Sequence, residues 1–392
     1  MRKAFAGCAA AAIALASAHA LRAASSSELQ RLIDAAPAGA TLLLPAGSFR
    51  GSLVVAKRLV LVGNPAGTEL SLGSEARSRD PSGCALRVAA DGVEVRSLRI
   101  RSALFGIRIE GCRNALVSGC SVEGRRELRF SLRGDGIRVS GGSGVTIEDV
   151  RISQVCDGIY LDGTADATVR RCEVSDGRYG LHIMYGRGAA VEALRTRRVI
   201  VGAMVMGTEA ASVADSSFGD GRDPRSAGLV LFESSNCSCR GNRMASANDG
   251  ILLSGARGCR IEGNVVSRNA RGITVEGDAS GSVVAGNSFL GNGEQVGGAG
   301  NLGSIAWAES GRGNYWDDYK GFDFDRDGIG DAPYRRPRSY AALSVRSGLA
   351  GIFFGSPLQR VVDDLDPQAE IVDPSPLARR PASGRAPGSA AE

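Results

Sequence analysis

Histidine is almost missing from this chain of 392 residues, which contains only His19 and His182. Methionine occurs five times and tryptophan twice, and aromatic side chains make up 5% of the sequence. Glycine, by contrast, occurs 54 times. A thin core assembled coil by coil, with many turns, suits that composition better than one large compact core. Past the N-terminus no run of 18 uncharged apolar residues occurs, so no membrane-spanning helix is expected there. No G-x-x-x-x-G-K-[ST] segment occurs either, so nucleotide hydrolysis would need another chain. No C-x-x-C spacing occurs, which disfavours a zinc site. The net charge is +5 and falls to +3 without Arg2 and Lys3, too little to argue for nucleic acid.

Residues 1–20 read as a signal peptide. Arg2 and Lys3 precede a small, apolar stretch, and Ala18-His19-Ala20 is an A-x-A cleavage site. Removing them leaves one histidine, His182, and four methionines: Met184, Met204, Met206 and Met244. Export makes disulfides possible for the eight remaining cysteines. Cys237 and Cys259 are 22 residues apart and should stack in adjacent coils, where parallel strands favour a ladder of thiols over a bridge.

The repeat is a glycine followed by apolar, any, apolar. It begins at Gly106, Gly136, Gly158, Gly180, Gly202, Gly228, Gly250 and Gly272, with gaps of 30, 22, 22, 22, 26, 22 and 22 residues. A second marker follows fourteen residues later, at Cys120, Val150, Cys172, Asn242 and Asn264. Short β-runs at constant spacing, each too small to bury its own face, predict a right-handed parallel β-helix. The glycine and asparagine markers are expected at left-handed corners. A propeller would need about 40 to 45 residues per blade. The longer gaps place loops at 125–133 and 220–226. Ser25 to Ala36 should form a helix capping the open end, with Ser25 and Glu28 as a capping box.

Strand alternation turns the residues two and four past each glycine outward. Two past lie Arg108, Arg138, Tyr160, His182, Met204, Val230, Leu252 and Thr274; four past lie Glu110, Ser140, Asp162, Met184, Met206, Phe232, Ser254 and Glu276. With coils about 4.8 Å apart, His182, Met184, Met204 and Met206 form a block on the outer wall. Imidazole and thioethers are copper ligands, and thioethers favour Cu(I). The set contains no carboxylate or thiolate, so it suits an exchangeable Cu(I) ion. The competing reading is an apolar docking face in which the methionines only pack, with Tyr160, Val230 and Phe232 at its border.

Asp135 and Asp157 each precede a repeat glycine one coil apart, with Asp162 and Asp166 beyond. Paired carboxylates would suit a polysaccharide lyase or hydrolase, but Asp-Gly is also an ordinary turn pair. Past the coils, Asp323, Asp325, Asp327 and Gly328 match the opening of a calcium loop, with Asp331 at its ninth position. Tyr334 stands where an EF-hand has its bidentate glutamate, so the alternative is a knot of Asx-turns. The expected organisation is a signal peptide over 1–20, the β-helix over 21–300 and a closing loop rich in Asp, Tyr and Trp over 301–340. C-terminal helices over 341–372 and a disordered tail over 373–392 complete it. The apolar segment with Phe353 and Phe354 is either a cap or a docking element for a membrane partner.

The Gly180–Tyr185 segment, Gly313-Asn-Tyr-Trp-Asp-Asp-Tyr319 and Asp327-Gly-Ile-Gly-Asp-Ala-Pro-Tyr334, set in these repeats, resemble the NosD family. That family comprises periplasmic β-helical maturation proteins of nitrous oxide reductase, and the likeness runs from about Ser25 to Leu377. The resemblance implies a periplasmic accessory protein, not an enzyme. Its implied partners are an ABC transporter of the NosF/NosY type, a NosL-type copper donor and nitrous oxide reductase, with peripheral contact to the membrane complex. The implied cargo is copper, held transiently.

Overall fold

The computed structural model describes residues 24–72, 83–101, 104–221, 223–336 and 370–381. The expected signal peptide, Phe353 and Phe354, and most of the C-terminal helical region and tail lie outside these residues. The chain divides into two compact units, Met1–Arg178 and Tyr179–Glu392, each built from coils of parallel β-structure.

The first unit starts with the helix Ser26–Ala35. Ser25 is its N-cap and accepts the Ser27 N–H at 3.2 Å, while Leu29 and Ile33 are buried. The helix closes the open sheet end through one side chain. Gln30 donates to the Val54 carbonyl at 2.9 Å and accepts the Val54 N–H at 2.8 Å, as a neighbouring strand would. Beyond it the coils pair in register. Ile107 lies against Ile137 and Ile109 against Val139, then Ile137 against Ile159 and Val139 against Leu161, all fully buried.

In the second unit Ala203, Leu229, Ile251 and Ile273 stack inward, as do Val205, Leu231, Leu253 and Val275. The repeat glycines of this unit act through space rather than through φ. A Cβ on Gly180 would lie 2.6 Å from the Gly202 carbonyl oxygen and collide with the Thr196 methyl. The backbone there is not left-handed, so close approach between coils is what requires glycine.

The asparagine markers also have a different cause from the expected corner conformation: they form a ladder. The backbone N–H of Asn242 donates to Asn264 Oδ1 at 2.8 Å, Asn264 to Asn287 at 3.0 Å and Asn287 to Asn314 at 3.1 Å. The Asn242, Asn264 and Asn287 amides also donate to core carbonyls, so every rung satisfies buried polar groups. Cysteine occupies the marker row only in the first unit, at Cys120 and Cys172. All eight cysteines of the described residues are free, and the Cys237 and Cys259 thiols donate to the backbone carbonyls of Ser235 and Arg257 respectively, at 3.4 Å each.

The closing segment is a stack of rings. Phe289 lies on Trp316 at 4.4 Å and Trp316 on Tyr334 at 4.5 Å, with the ring planes nearly parallel in both pairs. Tyr334–Arg336 pairs antiparallel with Glu370–Asp373. A helix was expected to run to residue 372 and a disordered tail to start at 373. Instead Glu370–Asp373 is a strand, and Val372 and Asp373 are buried. The physical reason is Asp373, which accepts the last unmet N–H of the asparagine ladder.

Candidate copper site

His182 lies near the end of the strand Glu173–Met184, and Met204 and Met206 near the end of Arg195–Met206. Tyr185 N–H donates to the Met206 carbonyl at 3.0 Å, and Gly188 N–H to Glu209 at 3.0 Å. Elsewhere the same pattern accompanies a known register: Gly207 N–H donates to Phe232 where Met206 faces Phe232. Met184 therefore faces Met206 and, two residues back, His182 faces Met204. Met204 in turn faces Val230, and Met206 faces Phe232. The four expected ligands thus share one outward block of two coils.

The block is partly shielded. His182 is 7% exposed, and the three methionines are half-buried. The Tyr179 ring stands edge-on to the imidazole, with centroids 5.0 Å apart and planes at 87°. Beside it Val201, Ala227 and Val230 form a small buried apolar cluster, with Tyr179, Ile200, Met204, Phe232 and Leu252 packed against them. Imidazole and thioethers in such surroundings offer soft, neutral ligands and exclude hard cations that need oxygen.

The docking residues separate. Val230 is 2% exposed and Tyr160 8%, so neither presents a free surface; among the described docking residues only Phe232 is partly open. Val230 is covered because adjacent coils bring long apolar side chains over it. Tyr160 lies under the Arg138 guanidinium, 4.3 Å from its ring centroid.

The carboxylates expected as an alternative catalytic pair belong to a buried network in the first unit. Arg178 grips Asp157 with two bonds, 2.8 and 2.6 Å, and Arg138 bridges Asp135 and Asp162 at 3.3 Å each. Burial, with the nearby Asp157 charge, pushes the Asp135 carboxyl up to about 6. Burial also pushes the adjacent Cys156 thiol up to about 12. Ligand atoms of Asp135, Cys156 and Asp157 lie within 4.8 Å of one another. Arg178 and Cys156 escaped the sequence reading because neither belongs to a repeat marker. Asp135 and Asp157 are thus both buried and held by arginines.

In the aspartate loop, oxygens of Asp323, Asp325 and Asp327 come within 4.8 Å of one another. Asp323 Oδ2 accepts the Gly328 N–H at 3.2 Å, while its Oδ1 is buried with no hydrogen-bond partner among the described residues. Gly328 holds φ 87°, the left-handed turn that this loop needs. Asp331 accepts the Phe324 N–H at 2.7 Å and so braces the loop from outside the trio. The three clustered carboxylates and the orphaned oxygen fit a hard divalent cation.

Coils of this kind define the class of parallel β-helix proteins. By fold the chain is similar to the mannuronan C-5 epimerase AlgE6 A-module of Azotobacter vinelandii. The TM-score is 0.53 at 15% identity, over 72% of this chain and 94% of that one. It is similar also to DFA-IIIase of Arthrobacter chlorophenolicus, with a TM-score of 0.53 at 13% identity, over 72% and 85%. Likeness at this identity concerns the fold alone. The sequence model of one family, described as periplasmic copper-binding protein (NosD), matches residues 118–321, and the chain belongs to that family. Two relatives carry the name probable ABC transporter binding protein NosD. The one from Pseudomonas aeruginosa is 33% identical over 260 residues, 63% of this chain and 60% of the relative. The one from Stutzerimonas stutzeri is 28% identical over 261 residues, 63% and 59% respectively. The match thus spans about three fifths of each relative.

Proposed function

We propose that this protein is a non-catalytic periplasmic accessory protein that takes up and passes on copper for nitrous oxide reductase, working with an ABC transporter of the NosF/NosY type and a NosL-type donor. The observation that carries the reading is the pairing of His182 with Met204 and of Met184 with Met206 on one outward face. The family's description as copper-binding and the relatives' names as transporter-binding proteins support it. Three thioethers and one imidazole hold Cu(I) without a thiolate, so the ion stays exchangeable between donor and acceptor. Partial burial keeps water from the sulfurs, Tyr179 orients the imidazole, and Phe232 with the apolar cluster forms the rim against which a partner would seat. Replacing His182, Met184, Met204 and Met206 together by Leu keeps bulk and apolarity but removes every ligand. Cu(I) binding should then be lost in competition with a chromophoric chelator, and nitrous oxide reductase should mature without its full copper complement. Binding at the parent's affinity would refute the copper assignment.

The aspartate loop is read as a calcium-stabilised closure of the solenoid, formed by Asp323, Asp325 and Asp327 with Asp331 as a brace. Its support is the orphaned Asp323 oxygen beside two further carboxylates.

A further inference from the structure

The loop 125–133, inserted in the 30-residue repeat, has no part in the copper reading. It carries four arginines and one glutamate, a net +3 over nine residues. Its tip is the short 3-10 turn Phe130–Leu132, closed by Leu132 N–H to the Arg129 carbonyl at 2.9 Å and Arg133 N–H to the Phe130 carbonyl at 3.0 Å. Arg133 locks the loop from inside. Its guanidinium donates to the carbonyls of Leu128 at 2.8 Å, Arg126 at 2.8 Å and Asp176 at 3.1 Å, and lies 4.9 Å from the Phe130 ring centroid. Arg125 pairs with Glu127. Arg126 and Arg129 are exposed and form no ion pair with any described residue. Two apolar side chains stand beside them in the open: Phe130 is 40% exposed and Leu132 45%.

A solenoid coil has no need of such a loop. Arg133 spends its donors on preorganising a convex tip, and that tip holds apolar side chains outward at a cost in hydration. A stable protein interface needs roughly 800 Å² per partner with matching shape, more than one nine-residue tip offers. A lipid surface needs no shape match. It takes exposed aromatic and aliphatic side chains at the headgroup boundary and attracts arginines through its negative charge. We propose that the loop 125–133 is a membrane-surface anchor: Phe130 and Leu132 enter the headgroup region of an anionic phospholipid bilayer while Arg126 and Arg129 pair with its phosphates. The other strongly exposed apolar pair, Phe322 and Phe324, lies among Asp323, Asp325 and Asp327, and an anionic surface would repel it.

The test is co-sedimentation of the purified protein with vesicles of phosphatidylcholine plus phosphatidylglycerol, against phosphatidylcholine alone, with a chelator present. Binding should be at least about tenfold stronger to the anionic vesicles and should weaken with salt. The pairs Phe130→Ser with Leu132→Ser, and Arg126→Glu with Arg129→Glu, should each lower it by about tenfold or more. All four side chains are exposed, so melting should not change. Phe322→Ser with Phe324→Ser should bind as the parent does. Failure of the parent to bind anionic vesicles, or unchanged binding by both loop variants, would overturn the proposal. So would loop-dependent retention on native membrane vesicles without retention on protein-free ones, since the loop would then recognise a membrane protein.

Discussion

The carboxylate of Asp373 accepts the backbone N–H of Asn314 at 2.6 Å, across 59 residues of sequence, and thereby ends the asparagine ladder of the second unit. The same oxygen accepts the Trp316 indole N–H at 3.0 Å, and the other oxygen accepts the Ser375 N–H at 3.0 Å. Replacing Asp373 by Ala leaves buried donors without an acceptor. A loss of about 2–4 kcal/mol is expected, read as a lower denaturation midpoint. Asp373→Asn, which keeps an acceptor oxygen, should lose less. Equal losses would show that the carboxylate does not act as an acceptor.

Asp135 supplies a pH signature. Its folded pKa is raised to about 6 from 3.8, chiefly by burial, so the folded chain holds this proton more tightly than the unfolded chain. Its contribution is full below the unfolded value and is lost as pH rises through about 6. Between pH 3.8 and about 6 the parent should therefore lose stability relative to Asp135→Asn as pH rises. Parallel stability curves for the two proteins would rule this out.

Gly180 lies where a neighbouring coil leaves no room for a Cβ. Gly180→Ala should cost about 1–3 kcal/mol through overpacking. The added methyl should also push apart the backbone carrying His182, so Cu(I) affinity should fall with melting temperature. Ala at Gly111, whose Cβ would meet nothing within 4 Å, would lose stability only through its left-handed φ of 64° and should not touch copper binding.

Single ligand variants should grade the copper site. His182→Ala, Met184→Leu, Met204→Leu and Met206→Leu are each expected to weaken Cu(I) binding by about tenfold or more. Met244 lies fully buried in the core of the same unit, and Met244→Leu should leave affinity unchanged. Equal effects at Met244 and Met204 would mean that thioether placement is irrelevant.

Calcium should raise the melting temperature of the parent, and a chelator should reverse the rise. Asp323→Asn removes the orphaned anionic oxygen and should abolish the response, whereas Asp331→Asn should weaken it only in part, through the brace to Phe324. No shift in the parent on chelation would refute a bound cation.

The 22-residue period by itself determined which residues face one another. In parallel coils the repeat length is the register, so His182 opposite Met204 and Met184 opposite Met206 follow from counting, and strand alternation assigns their face. The N-terminal helix was legible for a similar reason, because capping and an apolar stripe are local signals. Only the tertiary structure decided what lies across long separations or outside the repeat. Gln30 standing in for a strand at Val54, Arg178 closing over Asp157, Arg133 bracing its loop and Asp373 ending the ladder at Asn314 all join residues that no fixed spacing connects. The repeat glycines show the difference at one position. Sequence marks Gly180 as required, but the reason, a carbonyl of the next coil where a Cβ would go, exists only once the coils are stacked.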